Sequence, residues 1–216
     1  TDSGTIAVTG NASFTTSSGS ITLGDNGGTT TDFGTLTFSA TTSVTITEDS
    51  GTALTNGSTA GTTATITSGG AITESTAGAA VEIIATDLIL SAAAGVGTTG
   101  AGNQLDITVT QLDVANSTSG GIFIIDTAGG LTLTNLAGDN AVSDGADGDA
   151  FTSGGSFIQA SSPLTIAANA FTTGGMTYTA GDSSSTGDDL TINNSSTVSD
   201  STGSLTFNAG DDVEFE

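Results

Sequence analysis

The sequence predicts an all-β chain folded as a parallel β-solenoid, and three observations lead to that prediction. Apolar residues arrive in short runs that alternate with Thr and Ser, which is the period of a strand with one buried face. The runs recur at intervals of about 24 residues. The chain also holds 32 Gly and one Pro among abundant Ser and Thr, a composition that favours short strands and many turns.

The alternating runs form nine pairs, and each pair is separated by a small turn. They lie at residues 12–14 with 21–23, 36–38 with 44–46, 64–66 with 71–72, 81–84 with 88–90, 105–109 with 112–114, 122–125 with 131–133, 157–158 with 164–166, 176–178 with 190–192, and 205–207 with 213–215. A unit this small cannot bury its own apolar face, so neighbouring units must stack. We therefore predict about nine coils averaging 24 residues, in a rod about 43 Å long at about 4.8 Å per coil. A β-sandwich also has short alternating strands, but it does not require the regular recurrence.

Four polar segments interrupt this pattern. Residues 24–32, 50–61, 138–150 and 181–189 are rich in Gly, Asp, Asn, Ser and Thr. We predict that all four are loops that leave the corners of the rod.

Residues 1–216 are predicted to form a single solenoid segment. Residues 34–46 resemble residues 203–215 at an offset of 169, which suggests slightly more than one large repeat of a tandem array. The sequence ends directly after a strand, and an open ladder invites further pairing. We expect a segment of a longer chain, or of a fibre made by self-association and end-to-end stacking.

The charge balance excludes several classes of function. The chain carries 18 Asp and 5 Glu but no Lys, Arg, His or Cys, so its formal net charge is -23. Without cationic side chains it cannot neutralise phosphate, which excludes nucleic acid and anionic membranes as direct partners. The absence of His and Cys also excludes a Ser-His-Asp catalytic triad, a thiolate nucleophile and a His or Cys metal site. No apolar run is long enough for membrane insertion.

Repeats such as residues 34–46, 64–74 and 122–133 combine alternating apolar residues, Thr-x-Thr steps and Ser-Gly or Gly-Gly turns. In these features the chain resembles the filamentous-haemagglutinin-like bacterial surface proteins and giant adhesins. The resemblance implies a right-handed parallel β-helix and an extracellular, cell-surface role. We expect a non-catalytic structural or adhesive protein.

One acidic segment suggests a calcium site. Asp144, Asp147 and Asp149 lie close together in a Gly-rich stretch, and Ca²⁺ prefers six to eight oxygen ligands. We predict that these three residues bind Ca²⁺. The pairs Asp188–Asp189 and Asp211–Asp212 are weaker candidates for divalent cations shared between stacked corners.

Two other classes of function remain open. Paired carboxylates would permit only acid glycosidase chemistry, for which Asp87, Asp106, Asp113 and Asp126 are the candidates in or beside strands. An ice-binding or carbohydrate-binding solenoid is the nearer alternative, because Thr-x-Thr steps could form flat ranks of Thr. Most aromatic residues fall in the inward phase and are expected in the core.

Overall fold

The computed structural model describes residues 4–24, 30–144, 155–183 and 186–216. Every regular element within these ranges is a strand, and none of the described residues is helical. The strands are β1 (Ile6–Thr15), β2 (Ile21–Leu23), β3 (Thr31–Ala40), β4 (Val44–Glu48), β5 (Thr52–Leu54), β6 (Ser58–Ala60), β7 (Thr63–Ser68), β8 (Ile72–Glu74), β9 (Ile83–Ile84), β10 (Asp87–Ala92), β11 (Leu105–Thr108), β12 (Gln111–Asn116), β13 (Phe123–Asp126), β14 (Leu131–Leu133), β15 (Val142–Asp144), β16 (Ser156–Ala160), β17 (Leu164–Ile166), β18 (Ala170–Thr172), β19 (Met176–Ala180), β20 (Leu190–Ile192), β21 (Val198–Asp200), β22 (Leu205–Asn208) and β23 (Val213–Phe215).

The strands stack in register into two parallel sheets. The first sheet contains β1, β3, β5, β6, β8, β9, β11, β13, β16, β19 and β22, and the second contains the other twelve strands. In the second sheet, nine strands from β2 to β23 follow one another, so the 192 residues from Ile21 to Val213 span eight intervals of 24 on average. The predicted parallel β-solenoid is therefore confirmed, with about eight turns.

Inward-facing ladders of apolar side chains hold the turns together. One of them runs the whole length of the second sheet, through Ile21, Val44, Ala64, Leu88, Leu112, Leu133, Ile166, Ile192 and Phe215. Its inner members are fully buried, and the alternate residues face outward. Complete burial of one such Leu or Ile side chain contributes roughly 1.5–3 kcal/mol. The core is thus a column of stacked side chains rather than one compact centre.

Some predicted boundaries were wrong. In the other predicted pairs the first run lies in the first sheet and the second run in the second sheet, but in the third pair the order is reversed, since 64–66 lies in β7 of the second sheet and Ile72 begins β8 of the first sheet. The predicted loop 50–61 contains β5 and β6, and the predicted loop 138–150 contains β15. In the first of these segments the inward positions hold Thr52, Leu54, Ser58 and Ala60, so Leu54 is the only large apolar residue there and the apolar alternation on which the prediction relied is weak.

The first sheet divides in the middle of the rod. β3 is a single strand that pairs with β5 at Leu36 and with β6 at Ser39 and Ala40. The β5 branch continues through β8 to Val96, and the β6 branch continues through β9 to β11. Both branches rejoin at Ile122 and β13. Two excursions, residues 75–82 and residues 97–104, therefore leave the sheet between the branches.

The two excursions contact each other. The amide of Gly78 donates a hydrogen bond to the carbonyl oxygen of Gly102 at 2.8 Å. Gln104 fixes the second excursion, since its Oε1 accepts from the Gly102 amide and its Nε2 donates to the Gly100 carbonyl. The excursions form one wall of a recess of about 420 Å³ whose other wall belongs to the rejoined sheet.

Candidate functional site: carboxylates held by backbone amides

Asp144, one of the three predicted calcium ligands, belongs to a strand and not to a loop. It ends β15 in register with Asn116 and is 3% exposed. Its Oδ1 accepts a hydrogen bond from Asn116 Nδ2 at 3.1 Å, and its Oδ2 accepts one from Ser156 Oγ at 2.9 Å. Asp147 and Asp149 lie outside the described residues. Binding of Ca²⁺ by the three residues stays a prediction.

Asp144 belongs to a series of inward polar side chains at the strand ends of the second sheet. The register aligns Glu48 with Ser68 and Asn116 with Asp144, and it aligns Thr172 with Asp200 in the later turns. Each follows inward apolar residues of its own strand, at the point where the chain turns away. Apart from Asp144, these residues were not singled out from the sequence. The pattern of apolar residues at alternate positions followed by an acid or amide in the same phase could have revealed them.

The strand-end side chains accept hydrogen bonds from turn amides. Glu48 Oε1 accepts from the Phe33 amide at 2.8 Å, and Asn116 Oδ1 accepts from the Gly95 amide at 2.8 Å. Burial would raise the pKa of Asp200, but hydrogen bonds from Gly203, Thr172, Gly175 and Thr202 lower it below its ordinary value. In a chain without cationic side chains, backbone N–H groups are the main donors that can stabilise a buried carboxylate.

Asp113 uses the same device to hold a loop. In β12, Leu112 pairs with Leu133 and Val114 pairs with Val142, so residues 134–141 leave the sheet opposite Asp113 alone. Asp113 Oδ2 accepts hydrogen bonds from the amides of Leu136 and Ala137, both at 2.7 Å. The Asp113 side chain is therefore buried, and its carboxylate holds the loop against the sheet.

Two further buried carboxylates, one in β13 and one just before β9, have strongly raised pKa values. Burial raises the pKa of Asp126 to about 6, although its Oδ1 accepts from the Val109 amide at 3.0 Å. Burial raises the pKa of Glu82 to about 7, and the charges of Glu74 and Asp106 add to the rise. Glu82 is fully buried, and its Oε2 accepts from the Asp106 amide at 2.9 Å. One hydrogen bond does not offset burial at either site.

The predicted acidic corners do stack on each other. Asp211 Oδ2 accepts from the Gly187 amide at 2.8 Å, and the Asp211 amide donates to the Asp188 carbonyl at 3.1 Å. Hydrogen bonds from Ser162 and Ser183 lower the pKa of Asp188. Within the described ranges, however, no group of three or more acidic side chains converges as a metal site.

The four candidate glycosidase residues are not brought together as one exposed pair. Asp113 and Asp126 are buried and bonded to amides, while Asp87 is half-buried and accepts from Thr63 Oγ1 at 3.4 Å. Asp106 lines the recess beside the excursions.

No helix among the described residues is long and apolar enough to cross a membrane.

Neither the family models, nor the curated proteins, nor the solved structures with which the chain was compared provide a match. The class of the protein therefore follows from its own geometry. It is a parallel β-solenoid repeat protein in which several buried carboxylates accept hydrogen bonds from backbone amides.

We predict that the free energy of unfolding falls as the pH rises from about 4 to about 8. Glu82 and Asp126 have folded pKa values of about 7 and about 6, against ordinary values of 4.5 and 3.8. A group with a raised folded pKa stabilises the fold below its unfolded pKa, and this contribution is lost as the pH rises through the folded pKa. For Glu82 the loss is on the order of 3 kcal/mol.

Urea denaturation midpoints measured across this pH range would check the prediction. Glu82→Gln should flatten the pH dependence and raise the midpoint at pH 8, because the glutamine carries no charge to desolvate. Glu214→Gln is the matched control, since Glu214 is exposed. A parent midpoint that does not change between pH 5 and pH 8 would contradict the assignment.

Proposed function

We propose that this chain is a rod segment of an extracellular structural or adhesive fibre on a bacterial surface, without catalytic activity. The observation that carries the proposal is the stacking of about eight turns in register on continuous inward ladders. The long inward ladder of the second sheet ends at Phe215, which is 72% exposed although its position belongs to the core. Val213, the other inward residue of β23, is 40% exposed. A further turn stacked on this face would bury both side chains.

The chain composition supports the same proposal. Backbone ladders and apolar stacks hold the described turns together, and the same interactions can add further turns to a rod. The chain offers no Lys or Arg at which a trypsin-like protease could cleave, a property that suits a persistent extracellular matrix. The resemblance of the repeats to those of haemagglutinin-like surface proteins is consistent with the proposal of an extracellular rod.

The ice-binding alternative gains no support from the observed register. An outward row of the second sheet begins with Thr22, Thr45 and Thr65, but its next members are Ile89 and Asp113. Regular Thr ranks require the same residue type in successive turns. The row is therefore interrupted after three turns, and we do not advance ice binding as a second function.

End-to-end assembly is testable with the 216-residue chain. We predict concentration-dependent rods, seen by sedimentation and electron microscopy, in salt strong enough to shorten the Debye length to about 3 Å. Phe215→Asp should stay a single rod, because it places a charge where a stacked turn would bury it.

Phe171→Asp is the matched control, since Phe171 is 41% exposed on a lateral face and not at the end of the rod. This variant should assemble as the parent does. A parent chain that sediments as a monomer up to its solubility limit would argue against stacking, and equal assembly of both variants would place the contact elsewhere.

Calcium is expected to strengthen the rod or its bundling. A net charge of -23 along about 43 Å places one charge about every 2 Å, close to the roughly 1.7 Å of duplex DNA. Divalent ions that bridge carboxylates would relieve this repulsion. We predict a higher melting temperature and more light scattering with millimolar Ca²⁺ than with a chelator at equal ionic strength.

The variant Asp147→Asn/Asp149→Asn tests the predicted site and leaves the buried Asp144 intact. It should lose the response, whereas Glu214→Gln/Glu216→Gln, which removes the same charge from exposed positions, should keep it. Equal responses from the parent and the Asn variant would remove these residues from any calcium site.

A further inference from the structure

The recess between the excursions and the rejoined sheet is lined by one carboxylate, that of Asp106. Asp106 lines this recess and is 4% exposed. Its amide and carbonyl are bonded to Glu82, but its carboxylate accepts no hydrogen bond from any described residue. This sets it apart from Asp113 and Asp126, whose carboxylates accept backbone amides. The Asp106 oxygens do not belong to the fully buried, unpaired side-chain atoms of the described residues, so the carboxylate opens into the recess, where a bound cation would pair with it.

The remainder of the lining is mostly apolar. Ala79 and Ala101 come from the two excursions, and Ile125 and Phe157 come from β13 and β16. The Phe157 ring is held by an edge contact with Phe123 at 5.8 Å between ring centroids. The volume of about 420 Å³ lies within the range of small-molecule sites. An aromatic face next to a carboxylate suits a cation that carries an apolar body.

The same lining argues against a metal ion. Ca²⁺ requires six to eight oxygen ligands, whereas Asp106 is the only acidic side chain among the described residues that line the recess. A neutral sugar would leave the Asp106 charge without a counter-charge. We propose that this recess binds a small organic ammonium ion, with the ammonium group on Asp106 and the apolar body against Phe157 and Ile125.

Glu74 and Glu82 are the other titratable groups that face Asp106. Burial raises the pKa of Glu74, and the charge of Asp106 raises it further, as it also does for Glu82. A bound ammonium ion would lower the energy of all three carboxylates. Binding should therefore be strongest at pH 8 and should weaken as the pH falls and the carboxylates take up protons.

The probe for this site is 2-phenylethylammonium, compared with the neutral 2-phenylethanol of nearly the same shape. By NMR titration at pH 8 and fixed ionic strength, the ammonium ion should bind saturably and at least about tenfold more tightly than the alcohol, because only the ion adds Coulombic attraction to the Asp106 carboxylate. The largest shift changes should fall on Ala79, Ala101 and Phe157. Equal affinities, or changes centred on the acidic corner at Asp188 and Asp212, would overturn the proposal.

Asp106→Asn should lower the affinity for the ammonium ion by about tenfold or more and leave the affinity for the alcohol unchanged. It should melt no lower than the parent at pH 8, because it removes a buried unpaired charge. Asp182→Asn is the matched control, since Asp182 is exposed and remote in sequence from the excursions. An Asp106→Asn protein that binds the ammonium ion as the parent does would also overturn the proposal.

Discussion

The absence of any cationic side chain is the constraint on which the buried part of this structure depends. A chain with 23 carboxylates must leave them in water, protonate them or give them amide donors. Strand-end carboxylates such as Glu48 and Asp200 have amide donors, because they accept hydrogen bonds from the backbone of neighbouring segments. A carboxylate in this role completes the turn and is itself stabilised, so an acidic residue serves where other proteins would use an ion pair.

A solenoid suits this constraint because the interactions that hold its turns together do not involve charged side chains. Backbone ladders and inward apolar columns hold the turns together, and neither requires an ion pair. The outward positions can then carry many acidic residues, provided that salt screens their repulsion. The free-energy cost of burying carboxylates is concentrated at a few buried sites, above all at Glu82, where Glu74 and Asp106 lie close by. Glu82 lies at the end of one of the excursions, immediately before β9.

The sequence allowed the repeating part of the fold to be predicted, because its evidence is local. In β4, β12 and β20 the alternation of large apolar residues identifies the strand and its inward face directly. β5 and β6 were missed because Leu54 is the only large apolar residue at their inward positions, and the others are small or polar, such as Thr52 and Ser58. The division of β3 between two partners was not predictable, since it depends on pairing between distant segments. Asp144 was predicted to be a calcium ligand from its acidic neighbours, but the structural role of its strand-end position is visible only from the register.

Carboxyl carbon NMR of the five Glu residues would test the electrostatic account most directly. The chain has few Glu side chains, so their signals can be followed separately from those of Asp and assigned by substitution. The account predicts that one signal, absent in Glu82→Gln, titrates near pH 7 because Glu82 is buried between charged neighbours. Titration of all five signals between about pH 4 and 5, the ordinary range for Glu, would contradict both the burial of Glu82 and the arrangement of turns that produces it.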